Sequence, residues 1–99
     1  MIKKGVKIDK LQPQMTLGYV IIQRVFNRHG WECVITSGND GKHSEDSLHY
    51  VGLALDIRTK NIPQCYHDAL TNEIREALGE NYDIVYENDH WHTEYDPKY

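Results

Sequence analysis

The spacing of apolar residues predicts two amphipathic helices. Residues 13–28 begin with Pro13, which is tolerated in a first helical turn, and apolar side chains recur at steps of three and four: Met15, Tyr19, Ile22 and Phe26. This helix is expected to end near His29 and Gly30. A second helix is expected to begin at Pro63, with Gly79 as its C-terminal cap and an i, i+4 stripe of Tyr66, Leu70, Ile74 and Leu78.

Shorter stretches predict strands. Residues 31–37 are largely apolar and partly β-branched, as in a buried strand. In residues 53–58, Leu53, Leu55 and Ile57 alternate with Ala54, Asp56 and Arg58, so a strand would direct Asp56 away from the leucines. Residues 82–87 and 90–95 read as a hairpin with Asn88 and Asp89 as its turn.

These elements predict an α+β fold, in which two helices pack on a small, mainly antiparallel sheet. At 99 residues the chain is expected to form a single domain, residues 1–99, with an N-terminal arm at 1–12 and a core from about 13 to 96. The residues between the first two strands, 38–47, are almost entirely polar and are expected to form an exposed loop of the kind that carries function.

Composition narrows the function classes. The formal net charge is -4 with neutral histidines, so no basic stripe is available to neutralise phosphates and nucleic acid is not an expected partner. Apolar runs are short and no stretch resembles a signal peptide. We therefore expect that the chain is made in the cytoplasm and does not insert into a membrane. A monomer is the favoured oligomeric state.

The two cysteines are expected to be ordinary reduced thiols. Cys33 and Cys65 have neither the number nor the spacing of a disulfide framework or a cysteine zinc knuckle. A cysteine peptidase built on Cys33 is disfavoured, because the apolar segment around that thiol is unlike the exposed, electropositive setting that such a nucleophile needs.

Histidines and carboxylates gather toward the end of the chain. On the last strand, alternation places His90, His92 and Glu94 on one face, with the two imidazoles about 6 to 7 Å apart. Histidines on a solvated sheet face are common without any ligand. His49, Asp56 and His92 together nevertheless supply two imidazoles and one carboxylate, the number of protein ligands that leaves a tetrahedral Zn²⁺ one open position for water.

Two motifs carry a family resemblance. Ser47-x-His49-x-x-Gly52-x-Ala54-x-Asp56-Ile57, followed after a helix by Asp89-His90-x-His92, resembles the zinc D-alanyl-D-alanine carboxypeptidases and L-alanyl-D-glutamate endopeptidases, which include bacteriophage endolysins and share the Hedgehog/DD-peptidase fold. The resemblance extends from about Pro13 to Tyr95. The segment "ITSG" at 35–38 also resembles the strand end that precedes the family's substrate loop.

The resemblance implies a complete set of roles. One Zn²⁺ per chain would be held by His49, Asp56 and His92, with Asp89 as the catalytic acid and base and His90 steadying the tetrahedral intermediate. Glu87 is the rival base. The implied substrate is a stem peptide of peptidoglycan, and the implied setting is a phage-type lytic enzyme that acts on the wall after release through a separate pore, or as part of a virion.

One departure from the family pattern concerns the substrate. Where family members commonly carry an aromatic residue and a carboxylate-gripping arginine after serine-glycine, this chain has Asn39 and Asp40. Lys42 and Arg58 are the candidate replacements, and Ser47 is assigned to substrate binding with them. The missing arginine leaves open an alternative, a zinc-stabilised, non-catalytic binding or structural module. A metal-dependent nuclease is a third possibility that the acidic charge disfavours.

The other histidines and the aromatic residues have structural explanations. His29 lies near a helix end, where a cation is favourable, and His67 is expected to be exposed on the second helix. His43 is expected to be a solvated loop residue. Four aromatic residues are expected in the core or in the wall of a cleft: Tyr50, Tyr82, Tyr86 and Trp91.

Overall fold

Two helices and four strands make up the part of the chain that this computed structural model describes, residues 1–38, 52–87 and 89–97. In chain order they are α1 (Pro13–Arg28), β1 (Ile35–Ser37), β2 (Ala54–Arg58), α2 (His67–Leu78), β3 (Tyr82–Tyr86) and β4 (His90–Tyr95). The strands form one antiparallel sheet in the order β1-β2-β4-β3. The predicted α+β architecture is confirmed.

The helices bury one face of the sheet. Trp91 of β4 is fully buried there, with its indole edge-on to Phe26 of α1 at a centroid distance of 5.8 Å. Most of the predicted helical stripes are buried: Met15, Ile22, Phe26, Leu70, Ile74 and Leu78. Tyr66 is an exception, because it lies in a 3₁₀ turn, Gln64–Tyr66, before α2 and is 49 % exposed. Neither described helix has the length and apolar character needed to cross a bilayer.

The first strand is shorter than the sequence predicts. Residues 31–34 do not belong to β1, although Cys33 and Val34 are buried as expected. The backbone N–H of Trp31 instead donates to the Phe26 carbonyl at the end of α1, and the Trp31 ring stacks on His29 at 4.8 Å. Trp31 therefore closes the helix rather than extending the sheet.

His67 is buried, so the prediction of an exposed histidine is wrong. Its Nε2 lies 2.9 Å from the Ile62 carbonyl oxygen and 3.1 Å from that of Thr59, and its Nδ1 lies 2.9 Å from the Tyr86 hydroxyl. Because carbonyls only accept, Nε2 carries the proton and Nδ1 accepts from Tyr86. His67 thus fastens the segment after β2 to α2 and β3.

The N-terminal arm packs against the domain. Lys3 donates its backbone N–H to the Ile35 carbonyl and Ile35 donates to Met1, each at 2.9 Å, so the arm runs beside β1. Farther along, Gln12 donates to the Gly52 carbonyl at 2.9 Å. Gly52 has φ +76°, and a Cβ there would lie 2.0 Å from the Lys10 carbonyl oxygen. Only glycine allows this approach.

Candidate functional site

Strand register brings the predicted chemistry together on the sheet face opposite the helices. Asp56 of β2 is paired with His92 of β4, and Arg58 with His90. The neighbours of these residues along each strand, including Leu55, Ile57, Trp91 and Thr93, are fully buried under the helices. We call the set of outward-facing side chains the polar sheet face: Asp56, Arg58, His90, His92 and Glu94.

Asp56 and His92 form the best-defined pair. Asp56 Oδ1 lies 3.0 Å from His92 Nδ1, and the side chains are only 15 % and 23 % exposed. The other ring nitrogen, Nε2, lies 2.9 Å from Glu94 Oε1. The hydrogen bond to Asp56 raises the pKa of His92 to about 9, against the lowering effect of burial and with a smaller contribution from Glu94.

His90 is also flanked by carboxylates. Asp89 Oδ1 lies 2.6 Å from its Nδ1, and Glu87 Oε2 lies 2.7 Å from its Nε2. Asp56 Oδ2 is 3.9 Å from the same Nε2. His90 therefore connects the hairpin carboxylates with the Asp56–His92 pair.

The four carboxylates around His90 and His92 favour an additional positive charge at this site. A neutral imidazole has one N–H and one lone pair, so a ring with carboxylate oxygens at both nitrogens must direct its lone pair at one of them. At His92 that conflict is removed either by a second proton or by a cation bound between Nδ1 and Asp56 Oδ1. Because the site is partly buried, water screens the carboxylates less than at an exposed site, and their attraction for the second proton or for the cation is stronger.

Asp56 and His92, the two predicted zinc ligands that the structure describes, are spaced as two ligands of one zinc ion would be. Two ligand atoms of a tetrahedral zinc site stand about 3.4 Å apart, close to the 3.0 Å between Asp56 Oδ1 and His92 Nδ1. Glu94 accepts from Nε2, so Nδ1, which faces Asp56, is the nitrogen that would bind a metal, and a carboxylate that orients a ligating histidine in this way is typical of zinc sites. The third predicted ligand, His49, lies outside the described residues, as do Lys42, Ser47, His43 and Tyr50.

A cavity of about 310 Å³ adjoins these residues. Its wall includes Asp56, Asp89 and His90 together with three cations, Lys3, Arg58 and Lys60. We call it the cationic pocket. Of the predicted site residues, the structure thus groups Asp56, Arg58, Asp89, His90 and His92, and adds Lys3 and Lys60. No sequence signal marked Lys3, because its position depends on the pairing of the arm with β1.

A larger depression of about 710 Å³ lies between the end of α2 and β3, lined by residues such as Arg75, Glu80, Asp83 and Glu94. Carboxylates of Asp83, Glu94 and Asp96 come within 4.8 Å of one another at its side. The hairpin register pairs Asp83 with Glu94, so this cluster could have been found from the sequence. Oxygen-only ligands suit Ca²⁺ or Mg²⁺ rather than zinc, and none of the described residues that line the depression is a histidine.

Cys33 is unsuited to nucleophilic chemistry. It is buried, and burial raises the pKa of its thiol to about 12. A thiol held in its protonated form is a poor nucleophile, which agrees with the reading of Cys33 as a structural residue. Trp91, Tyr82 and Tyr86 pack in or against the core, as expected.

No protein-family model matches this sequence, and no curated protein is significantly similar to it.

Proposed function

We propose that this chain is a zinc-dependent peptidase that hydrolyses an amide bond in the stem peptides of bacterial peptidoglycan through metal-activated water. The observation that carries the proposal is the Asp56–His92 pair, with 3.0 Å between its facing oxygen and nitrogen and with Glu94 on the far ring nitrogen. This arrangement favours a cation at that point, and a carboxylate with an imidazole matches zinc chemistry.

The proposal includes the family suggested by the two sequence motifs, the zinc D-alanyl-D-alanine carboxypeptidases and L-alanyl-D-glutamate endopeptidases of the Hedgehog/DD-peptidase fold. The antiparallel sheet supports it, because β2 and β4 carry the two described ligands at paired positions. The glycine of the first motif, Gly52, lies at a position where the backbone conformation and the nearby Lys10 carbonyl leave no room for a Cβ. A phage-type enzyme that reaches the wall after release, or within a virion, belongs to the same proposal.

The residues divide the work by position. His49, Asp56 and His92 would hold one Zn²⁺, and Glu94 orients the His92 ring. When bound, zinc lowers the pKa of water to about 7 and polarises a carbonyl. Asp89, on the wall of the cationic pocket, takes a proton from the attacking water and gives it to the leaving amine. His90 donates a hydrogen bond to the oxygen on which negative charge develops.

Zinc content tests the ligand assignment. Protein stripped with EDTA and reloaded should hold one zinc per chain by mass spectrometry of the metal, whereas Asp56→Ala and His92→Ala should lose it. His29→Ala is the matched control, since His29 is paired with Glu73 at the end of α1 and should not affect zinc. Full zinc occupancy in Asp56→Ala and His92→Ala would contradict the assignment.

Wall digestion tests the activity. Zinc-loaded protein incubated with purified peptidoglycan should release fragments with new amine termini, identified by mass spectrometry, and these identify the bond that is cut. If zinc is bound but no amine terminus appears, the non-catalytic binding module becomes the better interpretation. The absent family arginine is the sequence feature that favours that alternative.

A further inference from the structure

The two edges of the sheet differ in what covers them. At one edge, β1 is paired with the N-terminal arm: Lys3 donates to the Ile35 carbonyl and Ile35 donates to the Met1 carbonyl, each at 2.9 Å. At the other edge, no strand in the part of the chain that the structure describes pairs with β3 on the side away from β4. An unpaired edge presents backbone N–H and C=O groups to which another chain can add a strand.

The strand register shows which backbone groups of β3 face outward. Glu87, which follows β3, donates its N–H to the His90 carbonyl of β4 at 2.9 Å. Backbone groups alternate in direction along an antiparallel strand, so the N–H groups of Ile84 and Tyr86 point away from β4. Among the described residues, neither of these two N–H groups has a hydrogen-bond partner. The β3 edge therefore offers two donors to an added strand.

The depression of about 710 Å³ lies along this edge. We call it the edge groove. It is lined by residues 82–85 of β3 and by residues at the end of α2 and just after it: Arg75, Glu76, Gly79 and Glu80. Arg75 donates to the Ile84 carbonyl at 3.3 Å, so the outward-facing backbone of β3 borders the groove. Extended peptides bind such edges through main-chain hydrogen bonds, while the flanking surface selects their side chains.

The edge groove is acidic. The described residues that line it include four carboxylates and one cation: Glu76, Glu80, Asp83, Glu94 and Arg75. The cation is already engaged, because its guanidinium donates to the Asn72 side chain and to the Ile84 carbonyl. This charge favours a basic partner. It disfavours a second copy of the chain, whose own β3 edge would bring the same carboxylates to the contact.

We propose that the β3 edge binds an extended peptide segment rich in lysine or arginine, which adds to the sheet as a fifth strand. The N–H groups of Ile84 and Tyr86 donate to its carbonyls, and the carboxylates of the edge groove hold its basic side chains. Val85, on the same sheet face as Asp83, is 49 % exposed and offers an apolar contact. At 3.3 Å per residue, β3 spans about 16 Å, enough for about five residues of the peptide. This binding goes beyond the proposed peptidase and needs neither zinc nor hydrolysis.

NMR locates the added strand. The ¹⁵N-labelled protein is titrated with acetyl-Lys-Val-Lys-Val-Lys-amide. The amide proton signals of Ile84 and Tyr86 should move downfield as these groups gain acceptors, whereas those of Asp83 and Val85, which already face β4, should move less. The charge-reversed peptide acetyl-Glu-Val-Glu-Val-Glu-amide should bind at least about tenfold more weakly. Binding of the lysine peptide with no change at Ile84 and Tyr86 would overturn the inference.

Backbone methylation separates strand addition from simple charge attraction. Two versions of the lysine peptide carry N-methyl groups on alternate residues, one version on the lysines and the other on the valines, with the charge unchanged. Only every other N–H of an added strand faces its neighbour, so one version should bind about as tightly as the parent peptide and the other at least about tenfold more weakly. Equal affinity of all three peptides would mean that no backbone pairing occurs and would refute the proposal.

Variants identify the groups that select basic side chains. Glu76→Gln, Glu80→Gln and Asp83→Asn should each weaken binding of the lysine peptide about threefold. Glu32→Gln is the matched control, because Glu32 is exposed and does not line the edge groove. Unchanged affinity in all three groove variants would count against the proposal, since the carboxylates would then not hold the peptide.

Sedimentation velocity identifies the competing occupant. Without peptide, the protein should remain monomeric at the concentration used for NMR. A dimer whose formation moves the signals of Ile84 and Tyr86 would overturn the inference, because a second copy of the chain would then occupy the β3 edge.

Discussion

The two histidines of β4 have similar partners but different surroundings. His92 lies between Asp56 and Glu94, which are 15 % and 27 % exposed, whereas His90 lies between Asp89 and Glu87, which are 88 % and 51 % exposed. Charges in water are screened, so the contacts of His90 are weaker and more easily exchanged for a substrate. This contrast favours His92 as a fixed ligand and His90 as a residue that changes partners.

Asp89 and Glu87 are the two candidates for the catalytic base of the proposed peptidase. Asp89 lines the cationic pocket and contacts Nδ1 of His90, whereas Glu87 contacts Nε2 of the same ring. We expect Asp89→Asn to keep its zinc and lose hydrolysis by a factor of roughly 100 or more, the usual contribution of general acid–base catalysis. Glu87→Gln, the matched variant, should change the rate by less than about tenfold.

Metal content and initial rates on peptidoglycan, measured for both variants, decide between the carboxylates. If Glu87→Gln suffers the larger loss while Asp89→Asn remains active, the roles of the two residues are exchanged. A loss of zinc in Asp89→Asn would instead indicate that Asp89 supports the metal site rather than the proton transfer.

Much of the described site follows from strand alternation alone. The period of two predicts that His90, His92 and Glu94 share a face and that Arg58 accompanies Asp56, and the structure agrees. The sequence does not reveal which ring nitrogen faces which carboxylate, nor that Lys3 reaches the same pocket. Those facts depend on register and on a backbone contact more than 30 positions along the chain, from Lys3 to Ile35.

At the scale of elements, the arm and the start of β2 support each other through a close backbone contact. Gly52 lies just before β2, accepts a hydrogen bond from Gln12 and has no room for a Cβ beside the Lys10 carbonyl. The strand that carries Asp56 is thus positioned from its N-terminal end by a contact that tolerates no side chain.

Gly52→Ala should therefore be strongly destabilising. Its positive φ alone costs about 1–2 kcal/mol for a residue with a Cβ, and the clash with Lys10 adds to that cost. Gly30→Ala isolates the first effect, because Gly30 has φ +75° but nothing within 4 Å of its Cβ position. Urea unfolding should show a loss at Gly52 at least twice that at Gly30. Equal losses would mean that the arm moves aside at little cost.

Helices were predicted better than the elements beside them. The apolar stripes of α1 and α2 are local signals, and most of their residues are buried as predicted. Trp31 and His67 were misassigned because specific contacts, and not an apolar stripe, place them: Trp31 stacks on the His29 ring and donates to the Phe26 carbonyl, and His67 bonds to loop carbonyls and the Tyr86 hydroxyl. Periodicity contains no information about such contacts.

At the scale of the whole molecule, the residues that stabilise the fold and the residues of the proposed site lie on opposite faces of the sheet. The apolar core lies under the helices, whereas the charged groups lie on the opposite face. The indole N–H of Trp91 donates to the Thr71 hydroxyl at 2.7 Å, so even the polar atom of the largest core side chain is satisfied. Substitutions on the polar sheet face should therefore alter binding and catalysis while the core stays intact.

The buried thiol of Cys33 should make the free energy of unfolding depend on pH in the alkaline range. Burial raises the pKa of Cys33 from its ordinary value near 9 to about 12, so the folded protein resists ionisation of a group that ionises readily once unfolded. A folded-state pKa above the unfolded value contributes stability that is fully present below pH 9 and is lost as pH rises toward 12. Within that window the loss approaches about 1.4 kcal/mol per pH unit.

The comparison of Cys33→Ala with the unmodified protein isolates this effect from other alkaline titrations. At pH 8 the substitution should lower the free energy of unfolding by about 1 kcal/mol. This difference should shrink and then reverse by pH 10.5, because ionisation of the Cys33 thiol stabilises the unfolded state of the unmodified protein and is absent from the variant. Cys65→Ala is the control, since Cys65 is exposed and its removal leaves the buried thiol in place. Urea titrations from pH 8 to 10.5 measure all three proteins. A constant difference between Cys33→Ala and the unmodified protein across that range would mean that the folded interior admits the Cys33 thiolate.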